Sequence, residues 1–403
     1  MGIDLEYSHD VAQLTARTTA FIDGVVMPVE EQFNGDAAYA GSDVMRTQLQ
    51  DAAKAAGVFA PHVPAEYGGL GLNMSDRAPV FEAAGYSVFG PAALNIAAPD
   101  EGNVHLLAHV ASQDQKARYL APLVSGEIRS AFAMTEPAPG AGADPDALAT
   151  RAERAAGGGW RITGRKWFIT GADGAAVFIV MARTAGEPGQ RGGATMFLVD
   201  ADSPGVRVGR HIATSDKSMI GGHCEVEFDA VTVGPDAVLG EVDQGFGYAQ
   251  VRLGPARMTH VMRWLGTANR AQDIAAGHVA SRSAFGATLG DLGMIQKMLA
   301  DNEIDLAATR ALLTRACWEL DRGERASAST SIAKTFAAEA IGRVVDRSIQ
   351  MCGGLGVSED LPLARLAAEV RPFRIYDGPS EVHRWALARR RVKAARHAGT
   401  VSA

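Results

Sequence analysis

Near the C-terminus, residues 375–382 read IYDGPSEV, which sets Asp377 directly before Gly378 and Pro379. A carboxylate on such a tight turn can serve as a general base when its surroundings exclude water. Aromatic and apolar residues before it (Phe373, Ile375, Tyr376) and a helix-like spacing after it (Val382, Trp385, Leu387) predict a buried turn, with Asp377 as the catalytic residue. The local sequence also suits a plainer role, because Asp and Ser are favoured caps of a following helix. A second segment with chemical potential, residues 134–144, reads MTEPAPGAGAD, with Thr135 and Glu136 ahead of a loop of Pro, Gly and Ala. Small residues let backbone N–H groups come close to an anionic or carbonyl-rich ligand. The loop carries neither the GxGxxG dinucleotide fingerprint nor the GKS/T of a phosphate loop, so a nicotinamide Rossmann site and an ATP site are both unsupported.

These segments need a scaffold of more than one core, since 403 residues exceed what a single core usually organises. Net charge is −7 with Lys and Arg dispersed, which argues against a nucleic-acid surface. The basic run Arg389–Arg396 reads as a solvated helix face. Cys224, Cys317 and Cys352 stand far apart in apolar contexts, without CxxC or His spacing, so no disulfide framework or metal site is expected and a reducing, cytoplasmic setting fits. Acidic Asp4, Glu6 and Asp10 disfavour a transit peptide, and the longest apolar stretch, Ala175–Ala182, is strand-sized and too short to span a membrane.

Helical spacing dominates residues 1–128, for example Val44, Leu49, Ala53 and Ala56, with Gly/Pro turns at 61–71 and 91–102. Between 129 and 242 short strand-like runs take over: 160–162, 167–170, 177–181, 195–199 and 224–228. In the last of these Cys224, Val226 and Phe228 alternate with Glu225 and Glu227, the pattern of a half-buried strand. From 243 to 403 the helical period returns. Ile295, Leu299, Leu306, Leu313, Cys317 and Leu320 mark one face and Ile332, Phe336, Ala340, Val344 and Ser348 another, and the short link 321–327 makes the two helices antiparallel neighbours in a bundle. The expected class is α+β: an N-terminal all-α domain, a middle β-barrel or sandwich domain, and a C-terminal four-helix bundle.

The Gly-rich loop gains meaning from residues 164–171, GRKWFITG. With the helical, β, helical order, the two motifs resemble the acyl-CoA dehydrogenase family, whose patterns TEPxxGSD and GxKxWITNG hold the flavin of FAD. The resemblance spans nearly the whole chain. It implies that Met134, Thr135, Gly140 and Ala141 bind FAD at the pyrimidine edge and its loop, and that Phe168 and Thr170 flank the ring. PAEYGGLG at 64–71 is similar to the family's loop between early helices. Arg282, Phe285 and Gly286 resemble the RxxFG element that reaches the FAD pyrophosphate of a neighbouring subunit, with Gln296 at the family's spacing. QMCGGLG at 350–356 resembles the segment over the adenosine half, which implies roles for Gln350, Gly353 and Gly354; Gly378 and Glu381 fall in the last flavin-contacting segment. Asp377 then sits where the family carries its glutamate base, in the pattern YEGT. Other members place that base on an earlier helix, matching about Pro255 or Ala256, where no carboxylate is available here.

A thioester α-proton is weakly acidic, so the site must take that proton and stabilise enolate charge on the carbonyl while a β-hydride leaves to flavin N5. The resemblance assigns carbonyl stabilisation to the N–H of the base residue and a ribityl hydroxyl of FAD, and the product to a trans-2-enoyl-CoA of fatty-acid β-oxidation. It implies electron-transferring flavoprotein as acceptor and a homodimer or homotetramer. Three departures stand out: aspartate reaches about 1.5 Å less than glutamate, Pro379 replaces a threonine, and Ala143 replaces a serine. APDEGN (98–103), GGHCEV (221–226), RLGPAR (252–257) and DGPSEVH (377–383) resemble the subfamily of acyl-CoA dehydrogenases 10 and 11, linked to 4-hydroxy acid breakdown and long or branched acyl-CoAs. Arg257 matches an arginine near CoA. Asp100, Asn103, His223, His260 and Arg263 are polar where simple fatty-acyl enzymes are mostly apolar, so they are candidates for holding an oxygenated acyl chain, or else helix caps and interface residues. Alternatives from other classes are an O₂-using oxidase and a non-catalytic binding module that keeps the fold.

Overall fold

The computed structural model describes residues 6–38 and 42–400. Helices come first: α1 (His9–Phe21), α2 (Ser42–Ala55), α3 (Met74–Ala84) and α4 (Asp100–Val110). Eight strands follow: β1 (Ser130–Ala133), β2 (Arg151–Arg154), β3 (Trp160–Thr170), β4 (Val177–Arg183), β5 (Ala194–Asp200), β6 (Val206–His211), β7 (His223–Val233) and β8 (Val238–Leu239). Then come α5 (Gly245–Ser281), a small hairpin of β9 (Ser283–Ala284) and β10 (Ala287–Thr288), α6 (Gly293–Asp321), α7 (Ser327–Cys352), α8 (Leu363–Val370) and α9 (Ser380–Thr400). The order is helical, β, helical.

Packing divides the chain into two units: residues 16–73 with 87–256, and residues 6–15 with 74–86 and 257–400. In the first, the strands form one sheet in the order β6-β7-β3-β2-β4-β5-β8, with β1 parallel to β4. Strand β4 is apolar at nearly every position because both of its faces are covered. Val177, Ile179 and Met181 point into a cluster with Leu106, Leu107, Leu120 and Leu123, while Phe178, Val180 and Ala182 join Trp160, Phe197 and Phe228. Each such fully buried large side chain stabilises by about 1.5–3 kcal/mol relative to exposure. Strand β7 alternates as its sequence predicts: Cys224, Val226 and Phe228 are buried, Glu227 is exposed and Glu225 partly so.

In the second unit, α6 and α7 are antiparallel, because their bonded partners run in opposite directions: Ser329 with Glu319, Arg343 with Asp305, Arg347 with Asn302. Helix α3 joins them, its start held by Asp321, which accepts from the N–H groups of Met74 and Ser75. Two helix faces differ in phase from the sequence expectation. On α2, Val44 is 65 % exposed and the buried stripe is Met45, Leu49 and Ala53, since Met45 stands one full turn before Leu49 and Val44 does not. On α7, Ile332 is exposed and the buried stripe runs Ala333, Ala337, Ile341, Val344 and Ser348, where small residues admit the neighbouring helices.

Candidate active site

In the sheet unit, the Gly-rich loop is organised by a buried ion pair. Glu136 follows β1 and its carboxylate accepts from the N–H groups of Ala141 (3.0 Å), Ala149 (2.7 Å) and Thr150 (2.9 Å) and from Lys166 Nζ (2.8 Å) on β3. Lys166 also donates to the carbonyls of Met134 and Met181. Burial would raise the Glu136 pKa, but Lys166 and then the bonds from Thr150 and Ala149 outweigh it and hold it at about 2. Burial pulls Lys166 down to about 8, opposed by Glu136. Four donors converge on the Glu136 carboxylate and favour its charged form. Gly140 is required here by close approach: a Cβ would lie 2.3 Å from Glu136 Oε2. The N–H groups of Gly140 and Ala141 point inward, to Pro137 O and Glu136, so these two residues do not offer the outward donors expected of the loop.

Thr135 and Phe168 do face outward. The Thr135 carbonyl accepts from Trp167 N, while its own N–H and hydroxyl have no hydrogen-bond partner among the described residues. A register shift in the β3–β7 ladder between Lys166 and Ile169 turns Phe168 out of the sheet at φ 51°, with its ring 44 % exposed and in edge contact with Trp167. A bulky residue at positive φ carries backbone strain, which concentrates at ligand sites. An open aromatic face beside an uncommitted donor and acceptor fits a planar heteroaromatic group such as a flavin. Thr170 Oγ1 bonds His223 Nδ1 (3.0 Å), and His223 Nε2 bonds Asp216 (2.9 Å). Asp100 and Asn103, candidates for a substrate oxygen or for cap and interface roles, are bonded to the elements around β1: Asp100 accepts from Ser130 N and Oγ, and Asn103 donates to Ser130 Oγ and accepts from Arg252.

In the helical unit the Asp377 turn is built with a left-handed residue, φ 55°, followed by Gly378 at φ 96°. Gly378 is required twice over, since a Cβ there would also meet His383 Nε2 at 2.9 Å. The turn is half-buried rather than enclosed on all sides: Phe373, Ser380 and His383 are buried, while Ile375 and Trp385, expected inside, are exposed. Its carbonyls are clamped. Arg257 Nε (2.9 Å) and His383 Nε2 (3.2 Å) donate to Asp377 O, and Lys334 Nζ (2.7 Å) to Gly378 O. Burial first, then the charges of Arg257 and Lys334, push His383 down to about 4, so it is neutral. Burial also lowers Lys334 to about 8, opposed mainly by Asp377. The Asp377 side chain makes no bond to the first turn of α9, so it is not that helix's cap; its Oδ2 lies 3.5 Å from His260 Nε2. The Asp377 N–H and Oδ2 have no hydrogen-bond partner among the described residues. Arg263, also a candidate for substrate, donates to His260 Nδ1.

The remaining candidates are exposed in this unit. Arg282 opens the hairpin, and Phe285 at its tip is 95 % exposed, with Phe285 and Gly286 both at positive φ as a two-residue type I′ turn requires. Gln296, Gln350, Gly353, Gly354 and Glu381 are all at the surface. Lys166, Lys334, His383 and Glu136 were not singled out as site residues from the sequence; for Lys334 the signal was a lone lysine in phase with the apolar stripe Ala337, Ile341 and Val344. Among the described residues no helix is long and apolar enough to cross a membrane.

Comparison with known proteins agrees with this architecture. Residues 8–127, 131–231 and 243–392 match the acyl-CoA dehydrogenase N-terminal, middle and C-terminal domain families in turn. A Mycobacterium tuberculosis protein named "Probable acyl-CoA dehydrogenase FadE2" is 39 % identical over 347 residues, 85 % of this chain and 84 % of that one. Acyl-CoA dehydrogenase family member 11 of Mus musculus is 34 % identical over 392 residues, 94 % of this chain, which spans only 50 % of that longer protein. The structure of butyryl-CoA dehydrogenase from Megasphaera elsdenii superimposes with a TM-score of 0.86 at 25 % identity, covering 96 % of this chain and all of that one. PigA, solved with FAD, shares the fold at 24 % identity. With three successive domain families covering almost its full length, the chain belongs to the acyl-CoA dehydrogenase family of oxidoreductases.

Proposed function

We propose that the protein is an FAD-dependent acyl-CoA dehydrogenase in which Asp377 removes the α-proton of an acyl-CoA thioester to give a trans-2-enoyl-CoA. The observation that carries this reading is the Asp377 turn itself. Three donors fix its two carbonyls, yet its own N–H and both of its carboxylate oxygens make no hydrogen bond among the described residues. The carboxylate accepts the α-proton, and the N–H of the same residue is the donor for developing charge on the thioester oxygen. Clamping the carbonyls on the far side of the turn holds that N–H in aim without reorganisation during the reaction. Arg257 binds the turn through Nε, which leaves its terminal nitrogens to meet CoA. When bound, FAD would supply the hydride acceptor; Thr135, Phe168 and Thr170 would hold its ring and Met134 would line its edge, while Arg282, Phe285 and Gln296 would reach the pyrophosphate of a neighbouring subunit's FAD and Gln350, Gly353 and Gly354 would serve its adenosine half. Exposed Phe285, Met294 and Val357 support self-association into a dimer or tetramer, and the electron acceptor is an electron-transferring flavoprotein.

The test is anaerobic mixing of the FAD-loaded protein with a panel of plain and 4-hydroxylated acyl-CoAs of increasing length. The expected result is bleaching of the flavin by at least one of them, abolished in Asp377→Asn. Bleaching at the parent rate in that variant defeats the reading. Faster bleaching by 4-hydroxylated chains supports the branch that acts on oxygenated substrates.

A further inference from the structure

Beside the base, His260 occupies a position that fixes its own protonation. An arginine can only donate hydrogen bonds, and Arg263 Nη2 lies 2.9 Å from His260 Nδ1. Nδ1 is therefore the acceptor, the imidazole is neutral, and its proton is on Nε2. That Nε2 is the ring atom facing Asp377, 3.5 Å from Oδ2, the buried carboxylate oxygen without a hydrogen-bond partner among the described residues. The ring plane is set by packing as well: its centroid is 4.8 Å from that of Tyr376 and 5.9 Å from that of Phe373, and Tyr376 is in turn bonded by Trp264 Nε1.

From this arrangement we infer that His260 is a positioning residue for the base: it presents an Nε2–H to Asp377 Oδ2 and leaves Oδ1 as the oxygen that takes the substrate proton. The inference rests on the reading of Asp377 as the base. It answers the short reach of aspartate. With its carbonyl fixed by Arg257 and His383, the residue keeps freedom mainly in its two side-chain torsions, and a donor on one oxygen removes that freedom. Aim matters because a displacement of about 1 Å can cost about 10²-fold in rate.

Glutamine and asparagine separate this role from packing, since a Gln amide reaches the place of Nε2 whereas an Asn amide reaches only that of Nδ1. FAD-loaded His260→Gln, His260→Asn and Asp377→Asn proteins are mixed anaerobically with the acyl-CoA that bleaches the parent fastest. We expect His260→Asn to slow bleaching by about 10- to 100-fold at an unchanged half-saturating concentration, and His260→Gln to stay within about threefold of the parent. Asn at the parent rate, or Gln as slow as Asn, overturns the proposal. ¹⁵N-histidine NMR of the substrate-free protein gives an independent reading: the signals lost in His260→Gln should be those of a protonated Nε2 and a bare Nδ1, and the opposite tautomer or an imidazolium overturns it. If Asp377→Asn bleaches like the parent, the base assignment has failed, and the positioning role falls with it even where the tautomer is as expected.

Discussion

Replacing Glu136 by Gln tests the claim that a buried ion pair frames the Gly-rich loop. The change keeps shape but leaves Lys166, itself fully buried, facing one neutral oxygen in place of a carboxylate. Removing one partner of a buried pair costs about 3–5 kcal/mol, and Gln has one acceptor oxygen where Ala141, Ala149 and Thr150 share two. At a slope of about 3 kcal/mol/M, the urea midpoint of the sheet unit should fall by about 1 M or more. Of the five tryptophans, Trp160 and Trp167 lie on β3 with Lys166, so fluorescence in a background with Trp264, Trp318 and Trp385 changed to Phe reports that unit. Removing the orphaned charge as well, in Glu136→Gln with Lys166→Met, should recover at least half the loss, because an apolar replacement of both partners is often close to neutral. An acid arm follows from the sign of the shift. The Glu136 pKa is depressed from 4.5 to about 2, so its contribution is complete above pH 4.5 and disappears as pH falls through about 2; the Gln variant should lack that dependence. A midpoint within about 0.3 M of the parent, or a double variant no better than the single, would refute the reasoning.

Three further outcomes can be checked. His383 has a folded pKa depressed from 6.5 to about 4, so its contribution is complete above pH 6.5 and is lost as pH falls through about 4; His383→Gln should flatten urea stability across that window in the helical unit. Gly140→Ala sets a Cβ on the Glu136 carboxylate and should destabilise the sheet unit by about 1–3 kcal/mol in the same fluorescence assay. Phe285→Asn suits the positive φ of a type I′ turn and should leave the chain as stable as the parent or slightly more so, while light scattering and gel filtration with FAD show weaker assembly or faster flavin loss.

Periodicity made the helical, β, helical order legible, because each element's spacing is written in consecutive residues. Strand β7 is the clearest instance: three buried apolar residues alternate with two acidic ones, and no other register buries them. Phase was harder where two adjacent residues are both apolar, since Val44 and Met45 differ only in which of them a partner element meets. Long-range polar pairing left no local mark at all. Nothing near Asn103 in the sequence announces Arg252, nor anything near Asp100 its bond to Ser130, so for these two residues the sequence leaves a substrate ligand and a cap or interface role both open.

The Asp377 turn shows both sides of that limit. Its Gly and Pro predicted a tight turn, and the carboxylate stood out by type. What fixes it comes from residues 257, 260, 334 and 383, which lie on three different helices. A base must be held as well as present, and the holding groups are single polar residues set into apolar helix faces. An Arg, a Lys or a His of this kind is expensive to bury unless it bonds something definite. Lys334 gives its bond to the Gly378 carbonyl, and its two neighbours along the stripe, Ala333 and Ala337, are small enough to admit it. A lone polar residue in phase with a buried stripe is therefore the sequence signal for the groups that hold such a turn.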